Sequence, residues 1–176
     1  MITKGKTIVI GLGNSILGDD GLGWRVVEEV ENRIGRDPRL NIKEIDFAYY
    51  SLGGLALMEN MEGYRKTIIV DSIVTGNNPI GTIFSLPLNE LPNFSSGHST
   101  AAHDTSLMTA LEVGRKCGIN LPEEIWTVVI EAENVYEFSE EISQSILNSI
   151  PEAVEHVFDR LLVKEWEISE PNEKID

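Results

Sequence analysis

Two adjacent aspartates, Asp19 and Asp20, interrupt a glycine-rich stretch, GLGNSILGDDGLGWRVVEEV at residues 11–30. A third, Asp71, follows directly on the apolar run TIIV. Two histidines, His98 and His103, stand in and just after the polar stretch PLNELPNFSSGHSTAA at 87–102. Carboxylates and imidazoles suit two kinds of chemistry. They ligate divalent ions such as Zn²⁺, Ni²⁺, Fe²⁺ or Mn²⁺ through oxygen and nitrogen, and they move protons as general acids and bases. The glycines invite comparison with phosphate loops, and the spacing rejects it. A dinucleotide fingerprint requires G-x-G-x-x-G, but Gly11 and Gly13 are followed by Ile16, and Gly18 comes two places late. A P-loop requires a Lys and a Ser or Thr after its glycines, and neither follows here. Two negative charges would also repel a phosphate.

Each candidate has a plainer role to set beside the chemical one. Asp19 or Asp20 suits the N-cap of a helix beginning near Gly21 or Leu22, where a carboxylate meets the positive helix end. Asp71 suits a turn or cap in DSIVTGNN. His103 opens a helix, and a helix N-terminus disfavours imidazolium, which leaves a neutral ring ready to ligate or to accept a proton. His98 lies five residues earlier, and spacing alone does not choose between the two. His156, in PEAVEHVFDRL, reads as a helix-surface residue.

The elements that must position these groups alternate between strand and helix. TIVIGL (7–12) and KTIIVDSI (66–73) are continuous apolar runs, as in strands buried on both faces of a parallel sheet. NIKEIDF (41–47) alternates and reads as a strand with a wetter face; PIGTIFSL (79–86) and EIWTVVIEAE (124–133) complete five strands. In LGWRVVEEVENRI (22–34), Leu22, Val26, Val27, Val30 and Ile34 share one helical face, opposite Glu28, Glu29 and Arg33. Helices are also expected at 52–61, at 103–118 with Leu107, Ala110, Leu111 and Gly114 inward, and at 139–166, where Pro151 kinks the helix or starts a new segment. The connection between the third and fourth strands is too short for a parallel crossover, so the fourth strand should run antiparallel. The expected fold class is α/β: a single mixed, mostly parallel, five-stranded twisted sheet with helices on both faces. Residues 1–166 are read as one domain and 167–176 as a flexible charged tail. In such sheets functional loops gather outside the carboxyl ends of the strands. Asp19, Asp20, Asp71 and one of the histidines all reach that edge.

Bulk properties narrow the partners. The 176 residues carry a formal net charge of −15, which repels nucleic acid and anionic membrane. One cysteine, Cys117, excludes an internal disulfide and suits a reducing cytoplasm. No apolar run approaches the roughly 18–20 residues of a membrane span. Neither H-E-x-x-H nor G-x-S-x-G occurs.

Taken together, the motifs resemble those of the nickel-dependent hydrogenase maturation endopeptidases over about residues 6–163. VIGLGNSILGDDGLGWRVVE is similar to that family's opening signature, with Asn14, Leu17, Asp19, Asp20, Gly23 and Arg25 in place. IIVDSIVTGNNPIGTIF matches its second block. AAHDTSLMTALEVG matches its third, a helix start with a leucine four residues after the histidine, which selects His103 over His98. The resemblance implies an enzyme that removes a short C-terminal extension from the precursor of a nickel–iron hydrogenase large subunit once nickel is inserted. The nickel would be carried by the substrate, and Asp20, Asp71 and His103 would recognise it; hydrolysis is not separable from recognition among these three. The family often has Glu where this chain has Asp20, a reach shorter by one methylene, which keeps Asp19 in view as a partner. His103-Asp104 in place of the commoner His-Gln, and the segment that follows, look closer to members acting on cytoplasmic, cofactor-reducing hydrogenases. No Ser or Cys nucleophile stands at a matching position, so water activated by the metal or by a carboxylate is the expected attacking group. The chain is expected to be a cytoplasmic monomer whose partner is the precursor. Two rivals stand against this reading. One is a non-catalytic nickel-sensing maturation chaperone on the same scaffold. The other is a peptidyl-tRNA hydrolase, which shares the opening VIGLGN but lacks the Asp pair and would suit a −15 chain poorly.

Overall fold

The structure is a computed structural model that describes residues 6–91 and 99–163, with side chains described for 6–91 and 107–163. Five strands, β1 (Thr7–Leu12), β2 (Ile45–Tyr50), β3 (Lys66–Ile73), β4 (Ile83–Pro87) and β5 (Glu124–Glu131), form one sheet in the order β2-β1-β3-β5-β4. All neighbours run parallel except β4, which pairs antiparallel with β5. The short connection after β3 reverses the chain, as a link too short for a crossover helix must. The fold class therefore stands as the sequence implied.

Among the described residues, four helices cover the sheet: α1 (Leu22–Ile34), α2 (Gly54–Asn60), α3 (Ser99–Lys116) and α4 (Gln144–Leu162). One apolar cluster joins α1 and α4 to the sheet through Leu22, Val26, Val27, Val30, Val154, Val157, Ile68 and Val70. The other joins α2 and α3 to the opposite face through Leu57, Met58, Leu107, Leu111, Ile10 and Ile69. The two clusters take alternate residues of β3, because successive strand side chains point to opposite faces. The α1 face read from helical periodicity is the buried one, and in α3 Leu107, Ala110, Leu111 and Gly114 all turn inward.

Several boundaries move. The second strand starts at Ile45, because Asn41 accepts a hydrogen bond from the Lys43 amide and winds residues 42–44 into a 3-10 turn. The fourth strand starts at Ile83, after a turn in which the Thr82 amide donates to Pro79. The last helix starts at Gln144 rather than at 139. Ser139 instead bridges to Leu17, its amide donating to Ile16 and its carbonyl accepting from Gly18. Pro151 neither begins nor divides α4, which runs through it as one helix. Ile146 before the proline and Ala153, Val154 and Val157 after it are all buried in the same cluster, and tertiary packing of this kind outweighs local propensity. The expected tail at 167–176 lies outside the described residues.

Strand order identifies the place where a ligand belongs. After β1 the chain moves to β2 on one side; after β2 it crosses back to β3 on the other. That reversal makes the carboxyl end of the β1–β3 pair a topological switch point, where open α/β sheets place their ligands. β1 pairs with β3 only as far as Gly11↔Val70, while β3 continues to Ile73. Asp71 thus sits at the first step past the shared segment.

Candidate functional site

A cavity of about 320 Å³ opens at this switch point, lined among others by Leu12, Asn14, Asp20, Ser51, Asp71 and Tyr136. The structure brings Asp20 and Asp71 to the same cavity from elements 51 residues apart in sequence. Asp71 is 5% exposed. One of its oxygens, Oδ1, accepts the amide of the next residue, Ser72, at 2.8 Å. Asp20 is half-buried, its Oδ2 accepting the Asn14 amide at 2.7 Å and its Oδ1 the Ser72 hydroxyl at 3.2 Å.

The approach of Asp20 to the end of β1 depends on glycine. Gly13 has φ of 120°, and a Cβ there would lie 1.8 Å from the Asp20 carbonyl oxygen. A side chain would meet both the strained backbone and the clash. The glycines of this loop therefore bring a carboxylate close, where those of a phosphate loop would bring amides close to an anion.

Asp19 turns the other way. It is 1% exposed and outside the residues that line the cavity. Its Oδ1 accepts the Ser143 amide at 2.7 Å, and its Oδ2 accepts the Ser143 hydroxyl at 3.1 Å and the Asn134 amide at 3.3 Å. Ser143 is the N-cap residue of α4. Asp19 thus supports a helix start, but the start of α4 and not of α1. The N-cap position of α1 is Gly21, with no side-chain cap. Neither aspartate plays the α1-capping role that the sequence suggested for them.

His103 falls within α3, one helical turn before Leu107. Its side chain lies outside the described ones. α3 is followed, within seven residues, by the start of β5 at the amino edge of the sheet. The helix therefore runs back across the sheet, and its N-terminal part belongs to the opposite end; because α3 begins at Ser99, residue 103 lies in its second turn and does not open the helix as the sequence suggested. His98 lies outside the described residues. His156 is half-buried on α4 and does not line the cavity. Among the described residues, no group of three or more His, Cys, Asp or Glu side chains could hold a metal ion.

Sequence reading missed Ser72. A serine after a strand-end aspartate reads as the first residue of a turn, yet it is fully buried and touches both carboxylates. Leu52 and Tyr136, both exposed, give the cavity an apolar rim. Such a mouth with carboxylates at its base suits a peptide segment and a cation together.

Fold and site define an α/β protein with an acidic cavity at its sheet switch point, and the comparisons narrow that class. The family model described as HycI, hydrogenase maturation protease, matches residues 24–160. A Methanocaldococcus jannaschii protein assigned as a hydrogenase maturation protease is 34% identical over 122 residues, covering 67% of this chain and 73% of that protein. The hydrogenase 2 maturation protease of Escherichia coli is 28% identical over 130 residues, 74% of this chain and 75% of that one. The solved hydrogenase maturating endopeptidase HybD from E. coli superposes with a TM-score of 0.73 at 25% identity, covering 89% and 91% of the two chains. The chain belongs to the hydrogenase maturation protease family. Its activity is that of an endopeptidase, as the resemblance implied. Among the described residues, no helix is long and apolar enough to cross a membrane.

Proposed function

We propose that this protease removes the C-terminal extension of a nickel–iron hydrogenase large-subunit precursor after nickel insertion, and that Asp20, Asp71 and His103 recognise the nickel that the substrate carries. The observation that carries the reading is the convergence of Asp20 and Asp71 on one cavity at the switch point. Nickel held partly by the precursor's softer ligands has positions to offer to hard carboxylate oxygen and to imidazole nitrogen. Contact with that ion would hold the adjoining peptide in register, which alone lowers the barrier to attack. Water then adds to the scissile carbonyl carbon, the C–N bond breaks, and the departing amine takes up a proton. A carboxylate of the site accepts the water's proton, or the ion lowers that water's pKa. The reading places the protein in the cytoplasm as a monomer; the exposed thiol of Cys117 suits a reducing compartment.

The test is incubation with nickel-loaded and nickel-free precursor, followed by intact mass. Wild type should shorten only the loaded form. Asp20→Asn, Asp71→Asn and His103→Ala should each slow shortening by about 100-fold or more, the range for loss of acid–base or electrostatic groups. His98→Ala should change it little. Loaded precursor bound but left intact by wild type would replace the protease reading with that of a nickel-sensing chaperone. An inactive His98→Ala beside an active His103→Ala would reverse the histidine assignment.

A further inference from the structure

We propose that Ser72 is a positioning residue of this site, its hydroxyl holding the Asp20 carboxylate and its amide holding that of Asp71. The inference rests on the reading of the cavity given above. The side chains of residues 71 and 72 leave β3 on opposite faces, as strand geometry requires. Asp71 thus joins the α2–α3 side and Ser72 the α1 side. The Ser72 side chain is fully buried, two residues along β3 from Val70 and opposite Ile130, both of the apolar cluster under α1 and α4. A hydroxyl there must find an acceptor, and it finds Asp20 Oδ1 at 3.2 Å. With Asn14 on Oδ2, one oxygen of Asp20 is tied to β3 and the other to the loop that follows β1. The plane of the carboxylate is then set by β3 as well as by its own loop. A carboxylate offers about four lone-pair sites, so this clamp is compatible with facing a cation as well. Because the amide of the same residue donates to Asp71 Oδ1 at 2.8 Å, one residue sets the spacing of both acidic groups. Valine or alanine would fill the buried position and keep the amide to Asp71, but would leave Asp20 Oδ1 without its hydroxyl donor.

A positioning role predicts a particular split. Misplacing a reacting group costs rate more than binding. Ser72→Ala should therefore lower kcat for nickel-loaded precursor by roughly 10- to 100-fold and leave KM within about two-fold. Ser72→Thr keeps the hydroxyl and should recover most of the rate. A second readout needs no substrate. Amide exchange at Asn14, the other holder of Asp20, should quicken at least about ten-fold in Ser72→Ala, while Ile69 in the middle of β3 keeps its protection. Wild-type kcat in Ser72→Ala, or unchanged exchange at Asn14, overturns the proposal. So does a loss of rate that merely follows a general loosening in which Asn14 and Ile69 quicken together. If wild type leaves the loaded precursor intact, the protease reading fails, and Asn14 exchange still decides the role of Ser72.

Discussion

Replacing each of the neighbouring aspartates by asparagine separates a structural carboxylate from a working one. In Asp19→Asn the side chain keeps its shape and loses one acceptor. Both oxygens of Asp19 accept backbone amides, from Ser143 on Oδ1 and from Asn134 on Oδ2. Whichever way the new amide turns, its NH₂ opposes a backbone N–H that cannot reverse. One charge-assisted bond is lost, worth about 1.5–3 kcal/mol, and a buried donor is left unmet at a cost of about 1–3 kcal/mol. Some relaxation of the loop before α4 reduces the sum, so the expected loss is about 2–4 kcal/mol. For a chain of this size that lowers the melting temperature by roughly 5–12 °C. Asp20→Asn has an escape. The new carbonyl keeps the Asn14 amide, and the NH₂ turns to the Ser72 hydroxyl, which rotates from donor to acceptor. Its expected loss is below about 1 kcal/mol, the worth of an ordinary hydrogen bond. Urea titrations followed by far-ultraviolet circular dichroism measure both variants, alongside precursor processing. Asp19→Asn should be destabilised with residual activity in proportion to its folded fraction, and Asp20→Asn should be stable and inactive. Equal stability of the two variants would refute the assignment of Asp19 to the α4 start.

Two further substitutions test the frame. Gly23→Ala should destabilise by about 3 kcal/mol or more, because the added Cβ would lie 2.3 Å from the Leu12 carbonyl and 2.5 Å from that of Val70, forcing α1 off the sheet; thermal melts of the variant check this. Lys66, whose ammonium is 3.5 Å from Glu124 on side chains only 3% and 21% exposed, has its pKa lowered by burial, with Glu124 opposing the shift. Below the ordinary lysine pKa the unfolded chain then holds the proton more readily than the folded one, so this group's contribution to stability rises with pH through that range. Lys66→Met leaves Glu124 partly exposed with Arg65 at 3.8 Å, so its cost at pH 7 should stay below the roughly 3–5 kcal/mol of stripping one partner from a fully buried pair, and the difference should move in favour of wild type as pH rises toward the ordinary lysine pKa. A difference in unfolding free energy that stays flat over that range would contradict the sign.

How far the sequence led depended on whether a residue's partner was near or distant in the chain. The buried face of α1 was legible because Leu22, Val26, Val27, Val30 and Ile34 repeat with the helical period and need no other segment to declare them. The reversal into β4 was legible from connection length alone. The start of α4 was not, because SEEIS has nothing local against a helix. Leu17 and Ser139, 122 residues apart, hold it off. Asp71 announced itself by standing at the end of an apolar run. Ser72 did not, since only the folded sheet shows what its hydroxyl faces.

The aspartate doublet shows why adjacency in sequence is a poor guide to shared function. Asp19 and Asp20 lie in a 3-10 turn, Gly18–Gly21. With three residues per turn, consecutive side chains diverge by about 120°, more than the roughly 100° of an α-helix. One residue therefore points toward the loop leading to α4, and its neighbour toward the gap between β1 and β3. The two partners, Ser143 and Ser72, stand 71 residues apart in the chain, one before α4 and one in β3. Their roles are set by that rotation and not by chemistry, for the side chains are identical. Shifting the turn by one residue, by inserting an alanine after Leu17, would put the pair out of phase with both serines. Stability and processing should then fail together, where single substitutions make them fail apart.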